Sequence, residues 1–575
     1  MRTTLTAVTL NNVAGTATIT GQAITNVNVT GSSANVTVVN SAVSHTDTFT
    51  LSGVTAGTYT DANATTVRIV SNGTAVNTLT GLAAGQATAV TVTGAGGVNF
   101  GTLAVAADAV ITATGSSGRN TITVAAGQSY LGGSGVDVVT TGATAQTVAV
   151  NGGAGTADRL VITSNNNATT AAAAFFTGFE QLQVNNGVTA DVSKFAGITS
   201  VNLNGATTVV TGLTAAQAAA VSLAGGAQTI TVGVANATNV GQLDSVTLTN
   251  ATAASTLTAT LAGVETLNLV SSKDLTLGSL TGATALTALN ASGAGDLSIT
   301  TGAAALNVNT VINASAVTGD VTVDASLSTA NGLRIVGSTT GANVLTGNAT
   351  LQNSLVGGDG TNTITGGSAI DQITVGNGNS AITGGDGANV IVAGNGNNTI
   401  TVGAGGSTIT SGNGQNVITG GSGADTITVG TGSNLVTGGA GADVITFGTH
   451  AAGVLDGIVI GAAAQTFAGA ITSGVTVLSA SIDRVVGLHA GDTINVAAVN
   501  ANVGGTVGTT LTVGDNAVSL VHGTYASGVW TNAASGADTL VVYDADNTAG
   551  VSLEAIVLVG SNVTGTAAAG IITLA

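Results

Sequence analysis

Residues 357–446 read, in nine-residue steps, GGDGTNTIT, GGSAIDQIT, VGNGNSAIT, GGDGANVIV, AGNGNNTIT, VGAGGSTIT, SGNGQNVIT, GGSGADTIT, VGTGSNLVT and GGAGADVIT. These ten nonapeptides follow one another without insertion or deletion. Gly occupies the fourth position in nine of them, Ile the eighth in nine and Thr the ninth in nine. Composition alone does not hold three columns in phase over ninety residues, so the repeat indicates a stacked architecture.

This period predicts a parallel β-roll. Each nonapeptide supplies a Gly-rich turn of about six residues and a strand of about three, and glycine permits the backbone angles that such turns require. Two nonapeptides make one coil, so residues 18 apart stack and the ten repeats give about five coils. The eighth residue points inward, so Ile364, Ile382 and Ile400 face Ile373 and Ile391 across a thin aliphatic core.

The nonapeptides resemble the GGxGxDxUx repeats (U apolar) of RTX proteins. That resemblance implies Ca²⁺ held between stacked turns by the sixth-position Asp and by turn carbonyls, together with export by type I secretion. The chemistry agrees, because calcium takes six to eight oxygen ligands from carboxylates and carbonyls.

The sixth position departs from the family pattern. Alternate nonapeptides lie on opposite edges of the roll, so the sixth residues form two ladders. We call one the Asn edge: Asn362, Ser380, Asn398, Asn416 and Asn434. We call the other the Asp edge: Asp371, Asn389, Ser407, Asp425 and Asp443. All three sixth-position Asp residues fall on the Asp edge, and side-chain amide ladders without metal are the alternative for the Asn edge.

The best predicted calcium site therefore lies between Asp425 and Asp443, one coil apart. Asp371 is a second candidate, with Asp386 or Asn389 one coil on. Asp359 sits at the third position on the Asn edge and is a weak candidate.

Degraded copies of the repeat occur at 111–165. GSSGRNTIT (115–123) and GGSGVDVVT (132–140) fit the template, and NGGAGTADRLVIT (151–163) nearly fits it. Asp137 and Asp158 are possible calcium ligands there, and solvated turn carboxylates are the alternative.

The remaining sequence is also β-rich. Residues 1–110 alternate as strands of a sandwich or a solenoid, and His45 beside Asp47 is expected to be polar surface decoration. Residues 166–345 predict an irregular β-solenoid with one short helix in AAQAAAV (215–221), and the roll with its lead-in takes 346–446. The fold class is thus all-β.

Residues 447–575 predict a C-terminal β domain, in which Asp544 and Asp546 are possible turn ligands. This region is similar to the C-terminal secretion modules of type I-secreted bacterial surface-layer (S-layer) proteins. The resemblance implies an uncleaved export signal, which would explain why MRTTLTAVTLNN lacks the features of an N-terminal secretory signal.

Composition excludes several classes. Only 8 Lys and Arg stand against 26 Asp and Glu, a net charge of −18, which argues against nucleic-acid binding. There is no Cys for disulfides and no apolar run of membrane-spanning length. The Phe, Tyr and Trp residues number 13, too few for the aromatic girdles of a membrane barrel.

No catalytic motif appears: none of the four His begins HExxH, there is no GxSxG, and neither Lys follows Gly. We therefore expect no enzyme. We expect an extracellular, calcium-dependent S-layer protein whose main partner is itself, with type I secretion machinery and cell-surface polysaccharide as further partners. The alternative is a secreted RTX adhesin or ice-binding protein that uses flat Thr arrays. One array would be Thr383, Thr401, Thr419 and Thr437, and the other Thr374, Thr410, Thr428 and Thr446.

Overall fold

A computed structural model describes most of the chain. The described residues are 5–237, 243–301, 306, 308–460, 466–467, 475–477, 482–496, 518–527, 529–533, 536–543, 553–561, 565–568 and 571–575. Asp544 and Asp546 lie outside them. Contacts divide the chain into two compact units, Met1–Lys273 and Asp274–Ala575. Among the described residues, no helix has the length and apolar character needed to cross a membrane.

The first unit is a parallel β-solenoid, in which each strand pairs in parallel with the strand one coil later. Side chains alternate between buried and outward positions, as in Asn26–Thr30, because successive residues of a strand point to opposite faces. Of the sandwich and the solenoid predicted for 1–110, the structure has the solenoid.

Three sheets build this unit. One contains nine strands: Ala7–Asn11, Asn26–Thr30, His45–Ser52, Ala64–Asn72, Ala89–Gly94, Val110–Ser116, Ser129–Leu131, Val150–Asn151 and Phe176–Thr177. The second runs Ala17–Thr20, Val36–Val39, Thr58–Thr60, Asn77–Ala84, Val98–Val105, Asn120–Val124, Asp137–Thr141, Arg159–Ile162, Gln181–Asn185, Ser200–Asn204, Val221–Leu223, Ser245–Asn250 and Thr266–Ser271. The third contains Val188–Asp191, Thr207–Leu213, Gly226–Val234 and Ser255–Thr260.

Short helices interrupt the first unit. Two are 3₁₀ turns, Asn165–Ala168 and Val192–Lys194, and two are single α-helical turns, Thr170–Ala173 and Ala215–Ala218. The last confirms the helix predicted in AAQAAAV. Thr214 and Gln217 form a capping box at its start, which satisfies N–H groups that a helix of one turn leaves without partners.

The second unit is also a solenoid. One sheet has the parallel strands Leu275–Thr281, Leu297–Thr300, Val321–Asp324, Asn343–Thr346, Asn362–Thr365, Ser380–Thr383, Asn398–Thr401, Val417–Thr419, Leu435–Thr437, Gly457–Ile460 and Thr493–Val496. The facing sheet has Ala288–Gly293, Val311–Val317, Leu333–Val336, Asn353–Val356, Gln372–Thr374, Val390–Ala393, Thr408–Ser411, Thr426–Thr428, Val444–Thr446 and Asp483–Val486.

The nonapeptides form the predicted roll. Ile364 pairs with Ile382 in one sheet, and Ile373 pairs with Ile391 in the other, so the 18-residue stacking is confirmed. These eighth-position side chains are buried, with 0–2% of their surface exposed. Each coil therefore contributes two aliphatic side chains to a core that needs no aromatic residue.

Antiparallel strands follow the roll. They are Val518–Ala526, Val529–Asn532, Asp538–Tyr543, Leu553–Val559, Gly565–Ala568 and Ile571–Leu574, with the short strands Thr466–Phe467 and Val475–Val477. Leu553–Val559 pairs with Asp483–Val486, which itself pairs with the last nonapeptide strand, Val444–Thr446. Trp530 is fully buried in this region, in a cluster with Leu540 and Val557. The antiparallel sheet thus covers one end of the roll, as terminal caps of solenoids do.

Candidate metal centre

The sixth-position carboxylates of the Asp edge are held by the coil before them. Asp371 Oδ1 accepts a hydrogen bond from the Asn353 backbone N–H at 2.7 Å, and Asp425 Oδ1 accepts one from Ser407 N–H at 2.6 Å. Asp443 Oδ1 accepts one from Asp425 N–H at 2.8 Å. The structure therefore brings Asp425 and Asp443 together on neighbouring coils, as the 18-residue period predicts.

The second oxygen of each carboxylate has no partner. Oδ2 of Asp371, Asp425 and Asp443 is buried without a hydrogen-bond donor, and the three residues are 0–1% exposed. A buried charge without compensation is strongly unfavourable in free energy. A bound cation or a proton would therefore stabilise these oxygens.

The pKa values of these carboxyls reflect the same lack of a compensating positive charge. Burial and, to a smaller extent, the nearby Asp443 carboxylate raise the pKa of Asp425 to about 7, although the hydrogen bond from Ser407 N–H lowers it. Burial also raises the pKa of Asp443 to about 6, and that of Asp371 above its usual value. Without metal these carboxyls therefore bind protons more readily than an exposed Asp does, and a bound cation would displace those protons.

Each unpaired oxygen lies beside the first-position glycine of its own nonapeptide. A Cβ atom on Gly420 would stand 2.5 Å from Asp425 Oδ2 and 2.4 Å from the Gly438 carbonyl oxygen. One on Gly366 would stand 2.5 Å from Asp371 Oδ2 and equally close to the Gly384 carbonyl oxygen. A carboxylate and a carbonyl of the next coil thus converge where a side chain would otherwise sit. We call this space the carboxylate cradle.

On the Asn edge the side-chain amides instead bind the carbonyl oxygens of their own turns. Asn416 Nδ2 donates to the carbonyl oxygens of Gly412 and Gly414, both at 2.9 Å, and to Asn434 Oδ1 at 2.9 Å. Asn398 makes the same bonds to its own turn, to Gly394 O at 3.0 Å and Gly396 O at 2.7 Å. The amide ladder is therefore present on this edge, where each NH₂ group satisfies carbonyls of its own turn.

The first position of the nonapeptide carries a sequence signal that distinguishes the two edges. All three Asp nonapeptides begin with Gly (Gly366, Gly420 and Gly438), whereas Val375, Ala393, Ser411 and Val429 begin four of the five on the Asn edge. A side chain at this position would occupy the cradle. The first and sixth positions read together, rather than the sixth alone, identify the turns that are open to a cation.

The third-position carboxylates lie outside the cradles. Asp359 is exposed, and its Oδ1 accepts hydrogen bonds from Asn377 N–H at 2.8 Å and from Asn377 Nδ2 at 3.2 Å. Asp386 is also exposed, and it is Asn389 whose Oδ1 reaches the Asp371 N–H, at 2.9 Å. Of the two residues proposed to stand one coil on from Asp371, the structure places Asn389 on its ladder.

The degraded repeats bring Asp137 and Asp158 together. Asp158 Oδ1 accepts from Asp137 N–H at 2.7 Å, and its Oδ2 is buried without a partner. Burial raises the pKa of Asp158 to about 6. Asp137 differs, because its oxygens already accept from Asn120 Nδ2, the Tyr130 hydroxyl and Gly133 N–H at 2.7–2.9 Å. The geometry favours Asp158 over Asp137 as a ligand.

The ladders extend beyond the nonapeptides, which the 18-residue spacing did not reveal. On the Asp edge, Asp443 N–H donates to Asp483 Oδ1 at 2.9 Å, across 40 residues. On the Asn edge, Asn434 N–H donates to Asp456 Oδ1, and Asp456 N–H donates to Asp492 Oδ1, both at 2.8 Å. A signal was available, since DGIV (456–459), DRVV (483–486) and DTIN (492–495) repeat the sixth-to-ninth pattern of DTIT.

Comparison with protein families agrees with this geometry. Residues 356–449 match the RTX calcium-binding nonapeptide repeat, in overlapping segments at 356–391, 365–400, 375–409, 383–418, 392–427 and 419–449. This part of the chain therefore consists of RTX nonapeptide repeats, a family that binds calcium ions. A search of curated proteins finds no match to the chain.

The residues present fit that cation. Oxygen is the ligand that calcium prefers, and the cradles of Asp371 and Asp425 offer a carboxylate and a carbonyl oxygen each. Asp443 offers its carboxylate beside Gly438, and in all three Oδ2 has no competing donor. A bound calcium ion would supply the positive charge that these buried oxygens lack. The chain's own contribution is to hold each carboxylate by Oδ1 and to leave the cradle open with glycine.

Proposed function

We propose that the chain is a secreted structural protein that assembles into a calcium-dependent crystalline surface layer. RTX repeats indicate a secreted RTX-family protein, and proteins with such repeats are typically extracellular. The surface-layer role is the further step, and the outer surface of the roll supports it.

The observation that carries the proposal is an exposed apolar surface with almost no charge. Val390 and Val392 are each 43% exposed on one sheet, and Val417 and Leu435, paired in register on the other, are 45% and 44% exposed. Regular outward apolar side chains of this kind mark interaction surfaces. Low charge also reduces repulsion between copies.

Calcium would complete this low-charge surface. Residues 357–446 contain five carboxylates and no Lys or Arg, and three of the five are the buried Asp residues of the Asp edge. Bound calcium compensates those three, so that only Asp359 and Asp386 remain as exposed charges of the repeats. Folding of the roll and readiness to associate would then depend on the same ion.

Negative-stain microscopy with millimolar calcium tests the proposal, and we expect ordered sheets or tubes that a chelator dissolves. Leu435→Lys should abolish the order while leaving the calcium response of circular dichroism intact. Ser368→Lys, which adds the same charge in an exposed turn, is the matched control and should still assemble. Dispersed wild-type particles at high protein and calcium concentrations would contradict the proposal.

The surface-layer proposal includes two further partners. We propose export by type I secretion machinery through the C-terminal region, and anchoring to cell-surface polysaccharide. Deleting residues 447–575 should leave the protein inside a type I-competent host, whereas deleting 111–165 should not prevent export.

A threonine ladder favours a second candidate, a secreted adhesin or ice-binding protein. Thr365, Thr383 and Thr401 pair in register on one outward face, followed by Thr419 and Thr437. The opposite face is less regular, because Val392 stands between Thr374 and Thr410. Dispersed monomers that slow ice growth, with the effect lost in Thr401→Lys and kept in Ser368→Lys, would select this candidate over the lattice.

A further inference from the structure

A cluster of metal-ligand side chains lies just beyond the nonapeptides. The chain preceding strand Gly457–Ile460 contributes His450 and Asp456, and the chain preceding strand Thr493–Val496 contributes His489 and Asp492. The two strands pair in parallel, which brings these residues together. Ligand atoms of His450, His489 and Asp492 all lie within 4.8 Å of one another.

The distances between these ligand atoms match those expected between ligands bound tetrahedrally to a small cation. His450 Nε2 lies 3.3 Å from Asp492 Oδ1 and 3.6 Å from Asp456 Oδ2. Two ligands bound tetrahedrally at about 2.0–2.1 Å from a metal ion stand roughly 3.4 Å apart. His450 Nε2 also makes a hydrogen bond of 3.4 Å with Asp492 Oδ2, which is longer than the about 2.7–2.9 Å of a short charge-assisted bond.

Hydrogen bonds orient two of the ligands. His450 Nδ1 lies 3.3 Å from the Ala451 carbonyl oxygen, which can only accept, so Nδ1 donates there and Nε2 is the nitrogen that faces the carboxylates. Asp492 Oδ1 and Oδ2 accept from the backbone N–H groups of Asp456 and His489, at 2.8 and 2.7 Å. These two side chains, His450 and Asp492, are thus fixed by outer partners, as is usual for metal ligands.

An unpaired buried oxygen points into the cluster. Asp456 Oδ1 accepts from Asn434, but Oδ2 is buried without a hydrogen-bond partner and faces His450 Nε2. The side chains of Asp456 and Asp492 are 0% exposed, and that of His450 is 5% exposed. A cation at this point would satisfy the oxygen.

The second imidazole makes the cluster selective and accessible. The ring of His489 lies 4.9 Å from the ring of His450, edge-on at 74°, and His489 is exposed. Two nitrogen ligands with two carboxylates suit zinc and related transition metals, whereas calcium takes oxygen ligands. The exposed histidine leaves an entry path from solvent.

We propose that His450, His489, Asp456 and Asp492 form a site for Zn²⁺ or a similar divalent transition metal. The ion links the loops that precede the last two parallel coils, where 18-residue stacking gives way to longer steps. It is distinct from the carboxylate cradles and does not depend on the surface-layer role.

A second histidine cluster supplies the contrast. His45 Nε2 lies 2.9 Å from Asp61 Oδ2, which is the length of a direct hydrogen bond, and 3.6 Å from Asp47 Oδ1. The His45 side chain is only 7% exposed, so its prediction as polar surface decoration is wrong. With a single imidazole already hydrogen-bonded to a carboxylate, this group offers one nitrogen ligand fewer and serves as a control.

The test uses the full chain in excess calcium, titrated with Zn²⁺ by calorimetry and with Co²⁺ by visible absorption. We expect one equivalent of Zn²⁺ to bind and Co²⁺ to give the strong visible bands of a four-coordinate site. His450→Gln and His489→Ala should each weaken binding at least tenfold, and His45→Gln should leave it unchanged. Because His489 is exposed, its substitution tests the site without disturbing the fold.

Three results would overturn the proposal. One is no Zn²⁺ binding in excess calcium. The second is equal binding by wild type and both site variants, and the third is loss of binding in His45→Gln alone.

Discussion

Replacing Asp425 by Asn should strengthen the roll without calcium and weaken its response to calcium. The Asp425 Oδ2 atom is buried and unpaired, whereas an amide at this position would donate to carbonyls of its own turn. Asn416 does this twice, to Gly412 O and Gly414 O at 2.9 Å, and Asn389 on the Asp edge donates to Gly385 O at 3.1 Å. One or two hydrogen bonds gained are worth about 1–2 kcal/mol in the metal-free state.

Calcium reverses the sign of the stability difference between Asp425→Asn and wild type. Extracellular calcium modules bind at about 10⁻⁴ to 10⁻³ M. A site with a dissociation constant of about 10⁻⁴ M stabilises the folded state by about 2.7 kcal/mol when calcium is at a hundredfold excess over that constant. Losing the Asp425 ligand removes most of that gain. The variant should therefore be more stable than wild type in chelator and no more stable, or slightly less so, in calcium.

Hydrogen exchange read on peptides from 411–446 measures this locally. In chelator, exchange should be about 5- to 30-fold slower in Asp425→Asn than in wild type, the factor that corresponds to 1–2 kcal/mol. Calcium should slow wild-type exchange far more than that of the variant. Asn416→Ala is the matched control on the Asn edge: it should lose stability in both conditions and keep the calcium response. Faster exchange of Asp425→Asn in chelator, or an undiminished calcium response, would refute the reasoning.

Three more predictions test other parts of the molecule. The pKa values of Asp425 (about 7) and Asp443 (about 6) lie above the unfolded value of 3.8, so the folded state binds more protons than the unfolded state. Without metal, the roll should therefore lose stability as pH rises from about 4 to above 7. Chelator-treated protein that is more stable at pH 8 than at pH 5 would contradict this. Gly420→Ala places a Cβ in the carboxylate cradle and should weaken calcium binding at least tenfold in a calcium titration, while Val429→Ala on the Asn edge should not. Leu540→Ala should destabilise the C-terminal region by about 2–5 kcal/mol, seen as an earlier transition in Trp fluorescence with the roll's calcium response unchanged.

Within the repeats, the sequence was sufficient because the roll repeats locally. Ile364 and Ile382 are separated by one coil in both sequence and space, so the 18-residue period gives the register directly. The same period places Asp425 beside Asp443 and assigns the Asp residues to one edge.

Outside the repeats this reasoning fails. Asp456 stacks 22 residues after Asn434, and Asp483 stacks 40 residues after Asp443, so more than 18 residues separate these stacked positions. Additional chain between two coils changes the sequence separation but not the stacking of the strands. No sequence period therefore predicts the ladder positions of these residues or the contact between His450 and His489.

The sequence by itself determined the all-β class, the roll over 357–446, the inward isoleucines and the edge on which the carboxylates lie, since these follow from periods of two, nine and eighteen residues. Only the tertiary structure decided which oxygens lack a donor. Asp137 and Asp158 look alike in their repeats, yet Tyr130, Asn120 and Gly133 donate to the first while Oδ2 of the second is buried and unpaired. Hydrogen-bond satisfaction depends on neighbours brought from other coils at distances of about 3 Å, and no spacing along one chain encodes that.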